Sequence, residues 1–91
     1  MENFQELNQT VLETMAPGIR RLIFTLKGVM SIYFEIDPWV KVAEHSHSNE
    51  QMGMLIKGRM RWRIAGQETI LEAPALYRIP SQQPHEAEIL G

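Results

Sequence analysis

The sequence predicts an all-β domain, built as an antiparallel sandwich or barrel, and three observations carry that expectation. Short apolar runs recur at intervals of roughly eight to twelve residues. Turns containing Gly or Pro separate them, and no long helix-period stretch lies between them. The 91 residues amount to a single domain, 1–91, with an N-terminal arm or short helix over 1–16 and the strands over 17–91.

The elements follow in order. Phe4, Leu7, Val11, Leu12 and Met15 recur at three- and four-residue intervals before Ala16-Pro17-Gly18 stops the run, which suggests a short helix or a loose arm. Residues 21–26 read as a strand and Lys27-Gly28 as a turn. Residues 29–36, rich in β-branched and aromatic side chains, form the next strand and end at Asp37-Pro38. Strands are expected over 40–45 and 53–56, with Lys57-Gly58 turning the chain. Arg59–Ile64 alternates cleanly, with Met60, Trp62 and Ile64 on a core face and three arginines on a solvated one. Ala65-Gly66-Gln67 turns into 68–71, Ala73-Pro74 bends the chain before 76–79, and 80–84 is a loop ahead of His85–Leu90.

Composition excludes several function classes. A chain this short buries only roughly 60–65% of its unfolded surface, so some staple is expected. With no cysteine, neither a disulfide nor a thiolate metal site can supply it. A metal held by nitrogen and oxygen donors, or a partner subunit, remains. A formal charge of −2 offers no basic face for nucleic acid. No run approaches the ~20 apolar residues that cross a bilayer, so no membrane partner is expected. The start, Met1-Glu2-Asn3-Phe4-Gln5-Glu6, is acidic where a secretory signal is basic and then apolar, which makes a cytoplasmic protein the expectation.

The three histidines carry the chemistry. His45 and His47 are two apart, and on a strand that spacing puts both imidazoles on one face, where they can share a metal at about 2.0–2.2 Å. Gln51 follows where the strand turns, and its carbonyl is a neutral oxygen donor for a third position; Glu50 is the competing donor. His85 arrives 38 residues after His47, behind Pro80-Ser81-Gln82-Gln83-Pro84. Gly53 and Leu55 share Gln51's alternation and are candidates to line a pocket, with Tyr33, Phe34 and Tyr77 as further candidates.

His45-Ser46-His47-Ser48-Asn49-Glu50-Gln51, six further residues and then Gly58 resembles the first motif of the cupins. Pro80-Ser81-Gln82-Gln83-Pro84-His85 resembles the second, a proline-led segment ending in a lone histidine. Trp39 and Gln82 stand where the family often has glycine, and Ile89 where it often has asparagine. The resemblance runs from about Pro17 to Leu90. It implies a jelly-roll β-barrel, with His45, His47, Gln51 and His85 around one divalent metal. Cupins usually continue for some two strands beyond the second motif, so a barrel incomplete at its C-terminus is also expected.

The resemblance extends to small cupins that open unsaturated-uronate rings and to polyketide cyclases with three histidines and one glutamine. It therefore implies a metal-dependent enzyme in which the metal is a Lewis acid for isomerisation, ring-opening or cyclisation of an oxygen-rich small molecule. A homodimer is the family's habit. Two other readings stand beside it: a cupin module or sensor that binds metal or ligand without turnover, and a dioxygenase if iron is bound. Imidazole and amide donors suit zinc, nickel, manganese, iron and copper to different degrees. No residue stands out as a general base, and Arg20 or Arg21 is a candidate to meet an acidic substrate unless both are simply solvated strand ends.

Overall fold

The computed structural model describes residues 3–91; residues 1–2 of the expected arm lie outside them. The described chain falls into two compact units, divided between Ile36 and Asp37. Nine strands account for nearly all of the regular structure among these residues: β1 (Glu13–Ala16), β2 (Ile19–Thr25), β3 (Met30–Ile36), β4 (Lys41–His45), β5 (Gln51–Leu55), β6 (Arg59–Ile64), β7 (Gln67–Glu72), β8 (Ala75–Ile79) and β9 (His85–Leu90). No helix among them is long and apolar enough to cross a membrane.

The first unit is an antiparallel meander in the order β1-β2-β3. The amphipathic spacing of its first residues does not become a helix. Leu7–Gln9 makes one 3-10 turn without a side-chain cap, and Glu13–Ala16 is a strand. A helix this short gains little in isolation. Pro17-Gly18, with Gly18 at φ 77°, instead reverses the chain, so that Glu13 pairs with Arg21 and Ala16 with Ile19. Arg21 donates to Glu13 at 2.8 Å, and Arg20 lies 3.9 Å from Glu35, so both arginines face glutamates of their own sheet.

The second unit has two layers. One is a four-stranded sheet ordered β4-β9-β6-β7, and the other is the antiparallel pair β5-β8. Between them lie Met60 and Trp62 of β6, Ile79 of β8 and Ala87 of β9, with Leu55, Ile64, Leu71, Tyr77 and Ile89 packed around them. The alternation of Arg59–Ile64 is realised as expected: Met60 and Trp62 are buried on the inner face. On the outer face Arg61 reaches Glu88 and Glu68, while Arg63 reaches Glu86 and Glu68. Apart from the part-buried contact of Arg61 with Glu88, these pairs are exposed and worth under about 1 kcal/mol each, and their main effect is to keep that face solvated and close to neutral.

Two features of the second unit aim histidines inward. In β4, Val42 pairs with Ala87 and His45 with His85, so three residues on one strand span two on the other. That bulge reverses the parity of the strand and turns His45 onto the same face as Val42. The second feature is the loop 80–84. Its Gln82 N–H donates to the His47 carbonyl at 2.8 Å, and the Ser81 hydroxyl donates to the Ser48 carbonyl at 2.7 Å. These bonds tie the segment before His85 to the segment after His45.

Trp39 and Gln82, the two positions where the motif resemblance expects glycine, both adopt left-handed backbone, at φ 67° and 66°. For a residue with a Cβ this costs roughly 1–2 kcal/mol. Gln82→Gly is therefore expected to leave stability unchanged or raise it by up to about 1 kcal/mol, because relief of strain offsets the added chain entropy. Chemical denaturation measures this. A clear loss of stability would show that the Gln82 side chain, and not only its backbone, supports the loop.

Candidate metal centre

His45 closes β4, directly opposite His85 at the start of β9, and their ring centroids lie 4.2 Å apart. His47 lies beyond the end of β4, so strand alternation does not set its direction. The tether from Gln82 fixes its backbone instead, and its ring stands 4.9 Å from His85 and 5.7 Å from His45. One nitrogen from each imidazole lies within 4.8 Å of the other two, and among the described residues no carboxylate joins the group. Exposure is graded across it: His85 is buried, His47 is half-buried and His45 is exposed.

The hydrogen bonds decide which nitrogens are available. The Nδ1 of His45 faces the Ala43 carbonyl at 2.8 Å, that of His47 the Asn49 carbonyl at 2.8 Å, and that of His85 the Gln83 carbonyl at 2.9 Å. A carbonyl only accepts, so each Nδ1 carries the proton and each neutral ring leaves Nε2 with a bare lone pair. The Nε2 of His85 is fully buried and has no partner. Three lone pairs converge with nothing donating to them, which is the donor set a cation fits.

Gln51 is the first residue of β5, which starts two residues before the strand expected from the sequence, and is paired with Ile79 of β8. Its Oε1 stands 3.2 Å from His47 Nε2, and in the neutral ring with its proton on Nδ1 two acceptors face each other there. Glu50 is exposed and outside the donor group. Gly53 and Leu55 follow Gln51 on the inner face of β5, both half-buried, and Leu55 packs against the core. Tyr77 lies opposite Gly53, and its ring stacks on Trp62 with centroids 4.6 Å apart. Burial raises the pKa of its hydroxyl, while a hydrogen bond with the Gln51 side chain acts in the opposite direction. Tyr33 and Phe34 belong to the three-stranded sheet of the first unit. There Tyr33 donates to Glu35 at 2.8 Å, which raises the tyrosine's pKa, and Phe34 pairs with Arg21 and is exposed.

One residue that the alternation alone undervalued is Trp62. It reads as core and is core, yet its ring also lies 6.4 Å from His85, so the core and the histidine cluster share a wall. Gly53 has a steric reason to be glycine, since a Cβ there would overlap the Tyr77 ring. Gly53→Ala is therefore expected to cost about 1–3 kcal/mol, because Trp62 blocks the ring's retreat. In a Tyr77→Ala background the same change should be nearly neutral, and denaturant titration of the four proteins tests this coupling.

A search of the curated proteins found no match. Among solved structures, the fold is similar to KdgF from Halomonas sp., with a TM-score of 0.89 and 21% identity over 99% of this chain and 84% of that one. It is equally similar to an RmlC-like cupin from Shewanella frigidimarina, with a TM-score of 0.89 and 21% identity over 98% and 81% of the two chains. The Cnp3 cupin domain of Schizosaccharomyces pombe aligns with a TM-score of 0.85 at 8% identity, over 98% of this chain and 65% of that one. At these identities the likeness establishes the fold, a cupin jelly roll. The cupin domain family Cupin_2 matches residues 32–91, which contain both motifs and all three histidines, and the chain belongs to that family.

Proposed function

We propose that His45, His47 and His85, through Nε2, and Gln51, through Oε1, hold one divalent metal, and that the protein is a small-molecule enzyme using it as a Lewis acid. The observation that carries this reading is the convergence of three imidazole nitrogens, one of them buried without a partner, on the side where the Gln51 oxygen also points. All four donors are neutral, so a bound metal would keep its full double positive charge and polarise a carbonyl or hydroxyl oxygen more strongly than a carboxylate-ligated one.

The chain's own residues supply the rest. The three backbone carbonyls on Nδ1 hold the rings in the metal-binding tautomer. Trp62 and Tyr77 wall the buried side, and the exposure of His45 leaves the other side open to a substrate. The absence of a carboxylate from the described donor group favours proton transfer or rearrangement over oxygen activation, whose usual iron site has two histidines and one carboxylate. The substrate class that fits is an oxygen-rich small molecule, sugar-acid-like or polyketide-like, undergoing isomerisation, ring-opening or cyclisation. The exposure of His45 also supports a second reading, a module that binds metal without turnover.

Elemental analysis of the purified chain beside the His45→Ala/His47→Ala double variant tests the site. Roughly one equivalent of metal is expected in the first and none in the second. Reloading at a hundredfold excess over Kd should stabilise only the first, by about 2.7 kcal/mol. No uptake by the parent chain, or equal uptake by both, overturns the ligand set. Incubating the loaded protein with unsaturated sugar acids and following the products by NMR separates the readings: turnover supports the enzyme, and tight metal binding without turnover supports the module.

A further inference from the structure

The Gln51 carboxamide has two ends of similar shape and opposite polarity. Its oxygen faces His47 Nε2 at 3.2 Å, and because His47 Nδ1 donates to the Asn49 carbonyl, that Nε2 is itself an acceptor. With the ligand group empty, the amide would do better turned over, donating N–H to His47. A metal-binding role needs the orientation observed, with the N–H end directed away from the histidines and in need of an acceptor of its own.

Tyr77 meets that need. It pairs with Gly53, two residues along the same face of β5 from Gln51. The missing Cβ of Gly53 gives its ring room, and the ring is backed by Trp62 at 4.6 Å and tilted 41° to it. The contact with Gly53 sets its hydroxyl over the inner face of β5 beside Gln51, whose side chain acts on it as a hydrogen-bond donor does, lowering its pKa against the effect of burial. Gly53, Tyr77 and Trp62 thus form a stack that directs the Tyr77 hydroxyl toward the Gln51 side chain, while the Trp62 indole N–H is buried without a partner.

We propose that Tyr77 is a positioning residue for Gln51: its hydroxyl oxygen accepts the amide N–H, keeps the carbonyl turned to the histidines and increases electron density on Oε1. This rests on Gln51 being a ligand, as proposed above. The role is chemically specific. Toward an amide the phenol oxygen accepts and strengthens the donor atom. Toward a carboxylate the phenol would have to donate, which withdraws density from the group that binds the ion.

Cobalt(II) affinity, measured by chelator competition on the full chain, tests this with four variants and melting of the metal-free proteins as the control for folding. Tyr77→Phe is expected to weaken cobalt binding about tenfold in the parent. In a Gln51→Glu background the same change should leave affinity unchanged or raise it. An equal loss in both backgrounds overturns the proposal, because packing alone would give that result. If Gln51→Ala leaves cobalt affinity unchanged, the ligand set itself fails and this inference fails with it. If Gln51→Ala weakens binding but Tyr77→Phe does not, only the role of Tyr77 is lost. Should Tyr77→Phe fail to fold, ¹⁵N NMR of the zinc-loaded parent reads the same contact. Slow exchange of the Gln51 side-chain amide with a cross-peak to the Tyr77 ring supports the proposal, and a freely exchanging amide overturns it.

Discussion

The arrangement of the second unit depends on one kind of hydrogen bond made three times. Each histidine gives its Nδ1 proton to a backbone carbonyl two residues away: His45 to Ala43, His47 to Asn49 and His85 to Gln83. The contact is local, so it survives changes elsewhere in the sheet. It also fixes two things at once, the plane of the ring and the nitrogen that stays bare. Without it a neutral imidazole presents either nitrogen, and a cluster of three would rarely present all three lone pairs to one point.

The backbone is bent to make these contacts. A regular β4 would turn His45 to the same face as Lys41, among the arginines and glutamates. The bulge between Val42 and His45 prevents this and brings the Ala43 carbonyl within reach of the ring. Gln82 accepts a left-handed conformation so that its N–H reaches the His47 carbonyl, and the strain there is part of the cost of joining the two motif segments. The strained backbone at Gln82 and the buried, unpaired Nε2 of His85 belong to the same neighbourhood, where the fold gives up local stability to hold a set of donors.

Most strands of the fold were legible because their signals are local. The alternation in Arg59–Ile64 and the turns at Gly58 and Gly66 determine one another, and the structure places both glycines at positive φ. The short helix or arm expected at the amino terminus is a single 3-10 turn at Leu7–Gln9, and the end of that stretch becomes β1. The same apolar residues serve a helix or a strand edge, and the choice fell to a partner strand beyond Pro17-Gly18. The histidine triad was legible as spacing, but its cause was not. Two residues apart on a strand is the wrong account of His47, which lies past the strand and is held by a loop more than thirty residues away. Tyr77 was only one of several aromatic candidates, because the register that sets it against Gly53 and beside Gln51 is a pairing between distant strands.

Burial gives the site its energetic character. A buried lone pair with no donor costs about 1–3 kcal/mol, and His85 Nε2 carries that cost on a strand paired on both sides, where it cannot turn toward water. The facing of Gln51 Oε1 and His47 Nε2 adds a repulsion that the amide could relieve only by turning over, against the contact at Tyr77. A cation in the proposed site removes both costs together. A small domain without disulfides would then draw part of its stability from occupancy of the site. That would couple the integrity of the β4–β9 pairing to the chemistry it supports.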